Sequence, residues 1–212
     1  MKGNVQSIHI TPLCDGHRNR GCGVNPFLTS LNTRRSVPSR LLAEPGPDQA
    51  TLDRMLAAAV QVPDHGRRVP WRFLRIAGEA RAALGEALVA RALERNPDAS
   101  EPSLEKDRKR FASPVVVAVV ARLGEDPKIP ASERFSSASS VCFALLVAAQ
   151  GHGFGAQWLT GWPAYDEAVR ELLGLGEDER IASFIHIGTP QAEPPERERP
   201  DPRELLSDWS PG

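Results

Sequence analysis

The chain of 212 residues predicts an α+β sandwich. Val115–Ala121 (VVVAVVA) is apolar at every position and mostly β-branched, which is how a strand covered on both faces of a sheet reads. Stretches with helical periodicity stand on either side of it. The other strand-like segments do not alternate with helices in the regular order of a parallel βαβ sheet, so a doubly wound fold is not expected.

Taken in order, residues 1–25 are polar and Gly-rich without periodicity and read as an unpacked extension, with the domain expected over 26–190. From Asp48, a suitable N-cap, Leu52, Met55, Leu56, Ala59 and Val60 recur at helical spacing until Pro63 stops them. Trp71–Ile76 alternates as a strand, and Ala80, Ala83, Leu84, Ala87 and Leu88 form a second helical stripe, broken over Asn96–Pro102. Ser136–Gln150 is apolar nearly all round, a helix buried on most sides, ended by Gly151, Gly153 and Gly155. A short strand over Gln157–Thr160, a helix over about Tyr165–Leu173 stopped by Gly174, and a strand over Ile181–Ile187 closed by Gly188 follow. The Pro- and charge-rich residues 191–212 read as an extended tail.

Composition narrows the function. A net charge of −1 gives no basic face for nucleic acid, so a small-molecule partner is expected. No apolar run is long enough for a membrane span or a signal peptide, and three cysteines make no disulfide framework, so a soluble, cytoplasmic protein is expected. His9, Cys14, His17 and Cys22 are four soft ligands whose spacing matches no zinc signature, and no metal is expected. No GxSxG elbow, Walker loop or HExxH is present, and Cys142 sits in an apolar helix where a thiol is inert. Enzymatic chemistry on this chain therefore points to a bound cofactor.

Three segments carry candidate sites. Arg34, Arg35 and Ser36 can grip a phosphate by charge-assisted bonds, although paired arginines are also an ordinary solvated face. His65 follows Asp64, which can orient it or simply start the turn between Pro63 and Pro70. Gly151–Gly161 (GHGFGAQWLTG) lets backbone approach a planar ligand, but it is not the GxGxxG fingerprint, and a plain helix stop reads equally well.

RRS, then PDHGRRVPWRF, then an Ala-rich helix running into GHGFGAQWLTG, then IHIGTP stand in that order. Together they resemble the FMN-dependent nitroreductase family, and within it the small single-domain NAD(P)H nitroreductases of bacteria, from about Phe27 to Pro190. The resemblance implies a three-layer sandwich, its central and mainly antiparallel sheet flanked by helices, in a homodimer with FMN at the interface. It implies hydride transfer from NAD(P)H through FMN to a nitroaromatic, quinone or similar small acceptor by a ping-pong mechanism, the flavin and no side chain carrying the chemistry. Other flavin chemistry, or a flavin-binding sensor without turnover, is the alternative on the same fold.

By that likeness Arg34, Arg35 and Ser36 hold the FMN phosphate and ribityl chain, while Gln61 and His65 reach FMN from the partner chain. Trp158, Leu159 and Thr160 line the flavin, Ala149, Gln150, Gly151, His152, Gly153 and Phe154 meet the nicotinamide nucleotide, and Gly188 lies in a GTP turn near the phosphate. Two departures stand out. Gln61 replaces a frequent arginine, and an extra residue precedes Arg40, which receives no role; Arg67 and Arg68 receive none either.

Overall fold

The computed structural model describes residues 25–211, so His9, Cys14, His17 and Cys22 lie outside the described residues. Two compact units divide between Arg34 and Arg35. Within the first, α1 (Pro26–Thr33) begins on Asn25, whose side chain accepts the Phe27 N–H.

The second unit holds everything else. Its sheet is built from β1 (Leu42–Ala43), β2 (Trp71–Ala77), β3 (Val115–Arg122), β4 (Gly155–Leu159) and β5 (Glu179–Pro190). Every pairing is antiparallel: β3 lies between β2 and β5, and both β1 and β4 join β5. Helices α2 (Gln49–Ala59) and α5 (Ala131–Gly151) cover one face; α3 (Glu79–Arg95), α4 (Glu101–Arg108) and α6 (Glu167–Leu172) belong to the other. A short α7 (Pro202–Leu205) follows in the tail.

The all-apolar pattern of β3 is explained by its position. Val115, Val117, Val119 and Ala121 enter one core with Leu52, Met55, Val141, Leu145 and Ile185. Val116, Ala118 and Val120 enter the other with Leu84, Leu88, Phe111 and Phe184. Two cores on one strand make three layers.

Local signals behaved as their chemistry requires in most places. Asp48 caps α2 by accepting the Thr51 N–H at 2.7 Å, and Gly174, at φ 67°, follows the helix that Asp166 caps. Three expectations need correction. The break over Asn96–Pro102 contains the start of α4, with Ser100 as its N-cap residue and Pro102 in the first turn, where a missing N–H costs nothing. Helix α5 begins at Ala131, five residues before Ser136, because the Ser-rich first turns bury Arg134, Ser137 and Ala138. Gly188 does not close a strand in a turn: β5 runs on through Thr189 to Pro190, pairing with β1.

Candidate active site

The segment after Arg34 is stitched to the edge of β4. Val37 donates its N–H to the Ala156 carbonyl at 3.0 Å, and the Ser39 N–H reaches Gln157 Oε1 at 2.6 Å. Gly155 makes this approach possible, since a Cβ there would stand 2.9 Å from Val37 Cγ2 and 2.8 Å from Leu42 Cδ2. Its register partner Gly188 is likewise enclosed, a Cβ meeting Pro114 Cδ at 2.8 Å and the Ala43 carbonyl at 3.1 Å. Arg35 and Ser36 are thereby delivered beside β4. Arg35 also pairs with Glu196 of the tail at 3.1 Å, a carboxylate where an anionic ligand can compete. Arg34 ends the other unit and is described with it.

An antiparallel strand turns alternate residues to alternate edges. Ala156 faces Val37, so the N–H and C=O of Trp158 point off the same edge, which no strand among the described residues pairs. Such an edge offers backbone donors and acceptors to a planar heterocycle. Beside it opens a cavity of about 740 Å³, lined by Pro38, Ser39, Arg40, Gln157 and Leu159 together with Lys109, Arg110 and Ser113. That volume falls within the range of cofactor sites. Arg40 has no side-chain partner among the described residues, whereas Lys109 is paired with Glu105 at 2.7 Å and Arg110 with Asp107 at 2.5 Å. Arg40, Lys109, Arg110 and Gln157 were missed by sequence reasoning. A charged helix end reads as a solvated face until the fold sets it against a cleft.

Under this cavity lies His186, 1 % exposed, sharing a hydrogen bond of 3.1 Å with the Ser113 hydroxyl and stacked on Phe111. Burial, with Arg110 nearby, pushes its pKa down to about 4. At pH 7 the ring is neutral folded and unfolded; below about 6.5 only the unfolded chain takes the proton. Stability therefore falls as pH drops from about 6.5 to about 4, by about 3 kcal/mol. Glu179, held at about 2 by the Arg72 fork, adds its own loss only below about 4.5. Urea titrations across this range are expected to show the first decline in the wild type and not in His186→Gln; an equal decline in both would assign it elsewhere.

The loop after α2 is anchored at the opposite end of α5. Ser137 donates to the Pro63 carbonyl at 2.5 Å, and His65 Nδ1 meets Glu133 at 2.8 Å with its ring two-thirds exposed. Asp64 accepts the N–H groups of Arg68 and Val69, and Arg68 pairs with Asp126 at 2.6 Å, which gives Arg68 a structural role. Gln61 is exposed just past the C-cap of α2. About 24 Å of helix lie between Glu133 and Ala149. Gln61 and His65 therefore do not converge with Ala149–Phe154 in one chain.

At that far end the Ala149 side chain is fully buried, leaving only its backbone for a ligand; its carbonyl accepts the Phe154 N–H at 2.9 Å. Gln150 is half-buried, Gly151, His152 and Gly153 are exposed, and Gly153 takes φ 80° with open space around it. Phe154 and Trp158 pack on the α2/α5 core, Leu159 lines the cavity, and Thr160 follows β4. Burial pushes the Cys142 thiol up to about 12, in keeping with an inert side chain.

Among the described residues no helix is long and apolar enough to cross a membrane, and no cluster suits a metal. From Phe135 to Tyr165 the chain carries no Asp, Glu, Lys or Arg, and Phe135 and Phe143 of α5 are 38 % and 45 % exposed. The charge-free part of α5 after Arg134, with its aromatic outer face, is suited to burial against a further surface.

The model of the nitroreductase family matches residues 31–189. "Putative NAD(P)H nitroreductase YdjA" of Escherichia coli K12 is 36 % identical over 165 residues, covering 77 % of this chain and 88 % of its own. Among solved structures, a nitroreductase-like family protein from Bacillus cereus superposes with a TM-score of 0.74 at 22 % identity, over 90 % of this chain and 99 % of that one. A point variant of the FMN- and NADPH-dependent nitroreductase NfnB from a Sphigopyxis strain gives 0.70 at 22 % identity, over 86 % and 98 %.

Proposed function

Because this chain belongs to the nitroreductase family, an NAD(P)H-dependent oxidoreductase class, we propose that it binds FMN in the cavity beside β4 and reduces a nitroaromatic, quinone or similar small acceptor. The observation that carries this reading is the seam of Val37 and Ser39 on β4, which brings the chain from Arg35 and Ser36 along an unpaired strand edge and sets Ser39 and Arg40 in the wall of the cleft beside it. The chemistry of the residues suits the cofactor: guanidinium and hydroxyl for the phosphate, backbone N–H and C=O for the ring, and cations where negative charge gathers on reduction. When bound, FMN supplies two-electron transfer between the nucleotide and the acceptor.

The chain's own residues then bind and orient. Arg35 and Ser36 hold the phosphate and ribityl chain, and Gly188 admits the close approach of Pro114 and Ala43 to β5. Trp158 presents the strand edge to the ring, with Leu159 in the cavity wall and Thr160 just past the strand beside it. Arg40, Lys109 and Arg110 compensate charge at the cleft, and Ala149–Phe154, outside its lining, are proposed to contact the nicotinamide end from the resemblance to the family. Gln61 and His65 come from the second chain of a homodimer, which is how a site split by the length of α5 is completed. One cleft serving donor and acceptor in turn gives ping-pong kinetics, with work placed in the cytoplasm.

The purified protein is expected to be yellow and to bleach on anaerobic addition of NADPH. Colourless protein that takes up no FMN, or a flavin that no reduced nicotinamide bleaches, would overturn the reading. His65→Ala is expected to lower FMN retention about tenfold with unchanged circular dichroism; full retention would remove His65 from the site.

A further inference from the structure

A second cavity, of about 360 Å³, adjoins the first along α4, the two sharing Lys106 and Arg110. It is lined by Arg95, Asn96, Ser103, Lys106, Asp107 and Arg110 around Trp162. Its charge does not balance: three cations stand against one carboxylate, and that carboxylate is already engaged. Asp107 is buried, accepting from Arg110 at 2.5 Å and from the Trp162 indole at 3.0 Å.

The remaining groups are held ready for an anion. The Arg95 guanidinium lies over the Trp162 ring, 4.8 Å from its centroid, and its approach to Asp166 is a loose 3.8 Å. Stacking fixes the plane of the fork while leaving its N–H groups outward. Lys106 and the Ser103 hydroxyl have no side-chain partner among the described residues, and both belong to α4. One planar cation, one point charge, one hydroxyl and one amide around a small polar hollow form a phosphomonoester site.

We infer that this second cavity receives the 2′-phosphate of NADPH, with Arg95 and Lys106 as the residues that select NADPH over NADH. The inference rests on the reading that the donor reacts at the first cavity. The distal half of the dinucleotide must leave that cleft, and the shared wall of Lys106 and Arg110 leads into the second. The two donors differ only in a phosphomonoester carrying nearly two negative charges at pH 7.

Calorimetric titration of the FMN-loaded protein with 2′-phospho-ADP-ribose and with ADP-ribose tests this directly. The phosphorylated compound is expected to bind at least tenfold tighter, and Arg95→Ala or Lys106→Ala to shrink that gap at least fivefold. Arg95→Lys, which keeps charge without the fork, is expected to fall between. In turnover, Arg95→Ala should lower kcat/KM for NADPH about tenfold, with NADH turnover and flavin content unchanged; Lys106 also lines the first cavity, so Lys106→Ala is read by the binding gap alone. Equal binding of the two compounds, equal losses with both donors, or inorganic phosphate binding as tightly as 2′-phospho-ADP-ribose would overturn the assignment. Failure of the broader reading looks different: no bleaching by either donor, whatever the ADP-ribose pair shows.

Discussion

Gly155→Ala is expected to raise the FMN dissociation constant at least tenfold, a loss of about 1.4 kcal/mol. The added Cβ would lie 2.9 Å from Val37 Cγ2, 3.1 Å from Val37 Cβ and 2.8 Å from Leu42 Cδ2. Leu42 can swing its terminal methyl aside, but Val37 is β-branched, 5 % exposed and tied to Ala156 through its own N–H. The relief available is to lift the strip of residues 37–39 off β4, which moves Ser36 and Arg40 together. Sheet stability should change little, because the β4–β5 ladder is unaffected on its other edge. Flavin titration of the apo-protein checks the effect. Unchanged affinity would mean that the seam does not position the phosphate-gripping residues.

Gly85→Ala is expected to cost about 3 kcal/mol, lowering Tm by about 8 °C for a domain of this size. Alanine is intrinsically favoured over glycine in a helix by about 1 kcal/mol, so on an isolated α3 the change would stabilise. Here the Cβ would overlap the Arg108 carbonyl oxygen and stand 3.1 Å from its carbon. Backbone cannot rotate out of the way as a side-chain tip can, and Arg108 ends α4 with its guanidinium held by Glu86 and Glu105. Separating α3 from α4 would also shift Lys106 and Arg110, which line both cavities, and Lys109, which lines the first. Thermal unfolding, followed with flavin content, measures both consequences; a variant as stable as wild type would show that the helices do not meet backbone to backbone.

Much of this was legible in the chain itself. The three-layer arrangement follows from β3, whose seven apolar residues from Val115 to Ala121 can be satisfied only by a core on each side. Helix α2 followed from Asp48 and the Leu52, Met55, Ala59 stripe, and the resemblance named the family that the comparisons support. What failed was set by context. Pro102 opens a helix or breaks one according to which residue precedes it in space as a cap. Gly188 reads as a turn residue, yet it serves a close approach of Pro114 and Ala43 to an extended strand. No local pattern encodes either outcome.

The site divides in the same way. Residue types and their order pointed to Arg34–Ser36, to Gln61 and His65, and to the glycine-rich run as the places to look, because phosphate grip, a titratable ring and free backbone are properties of residues. Which of them meet is a property of distance. Only the folded chain lays residues 37–39 along β4, turns the Trp158 edge outward, and brings Arg40, Lys109 and Arg110 to the wall of one cavity. Only it puts the His65 loop and Ala149 at opposite ends of a helix of 21 residues. Sequence thus determined the elements and the chemistry available, since these depend on neighbours within a few residues; tertiary structure decided convergence, since contacts between segments distant in the chain arise when two cores are packed at once.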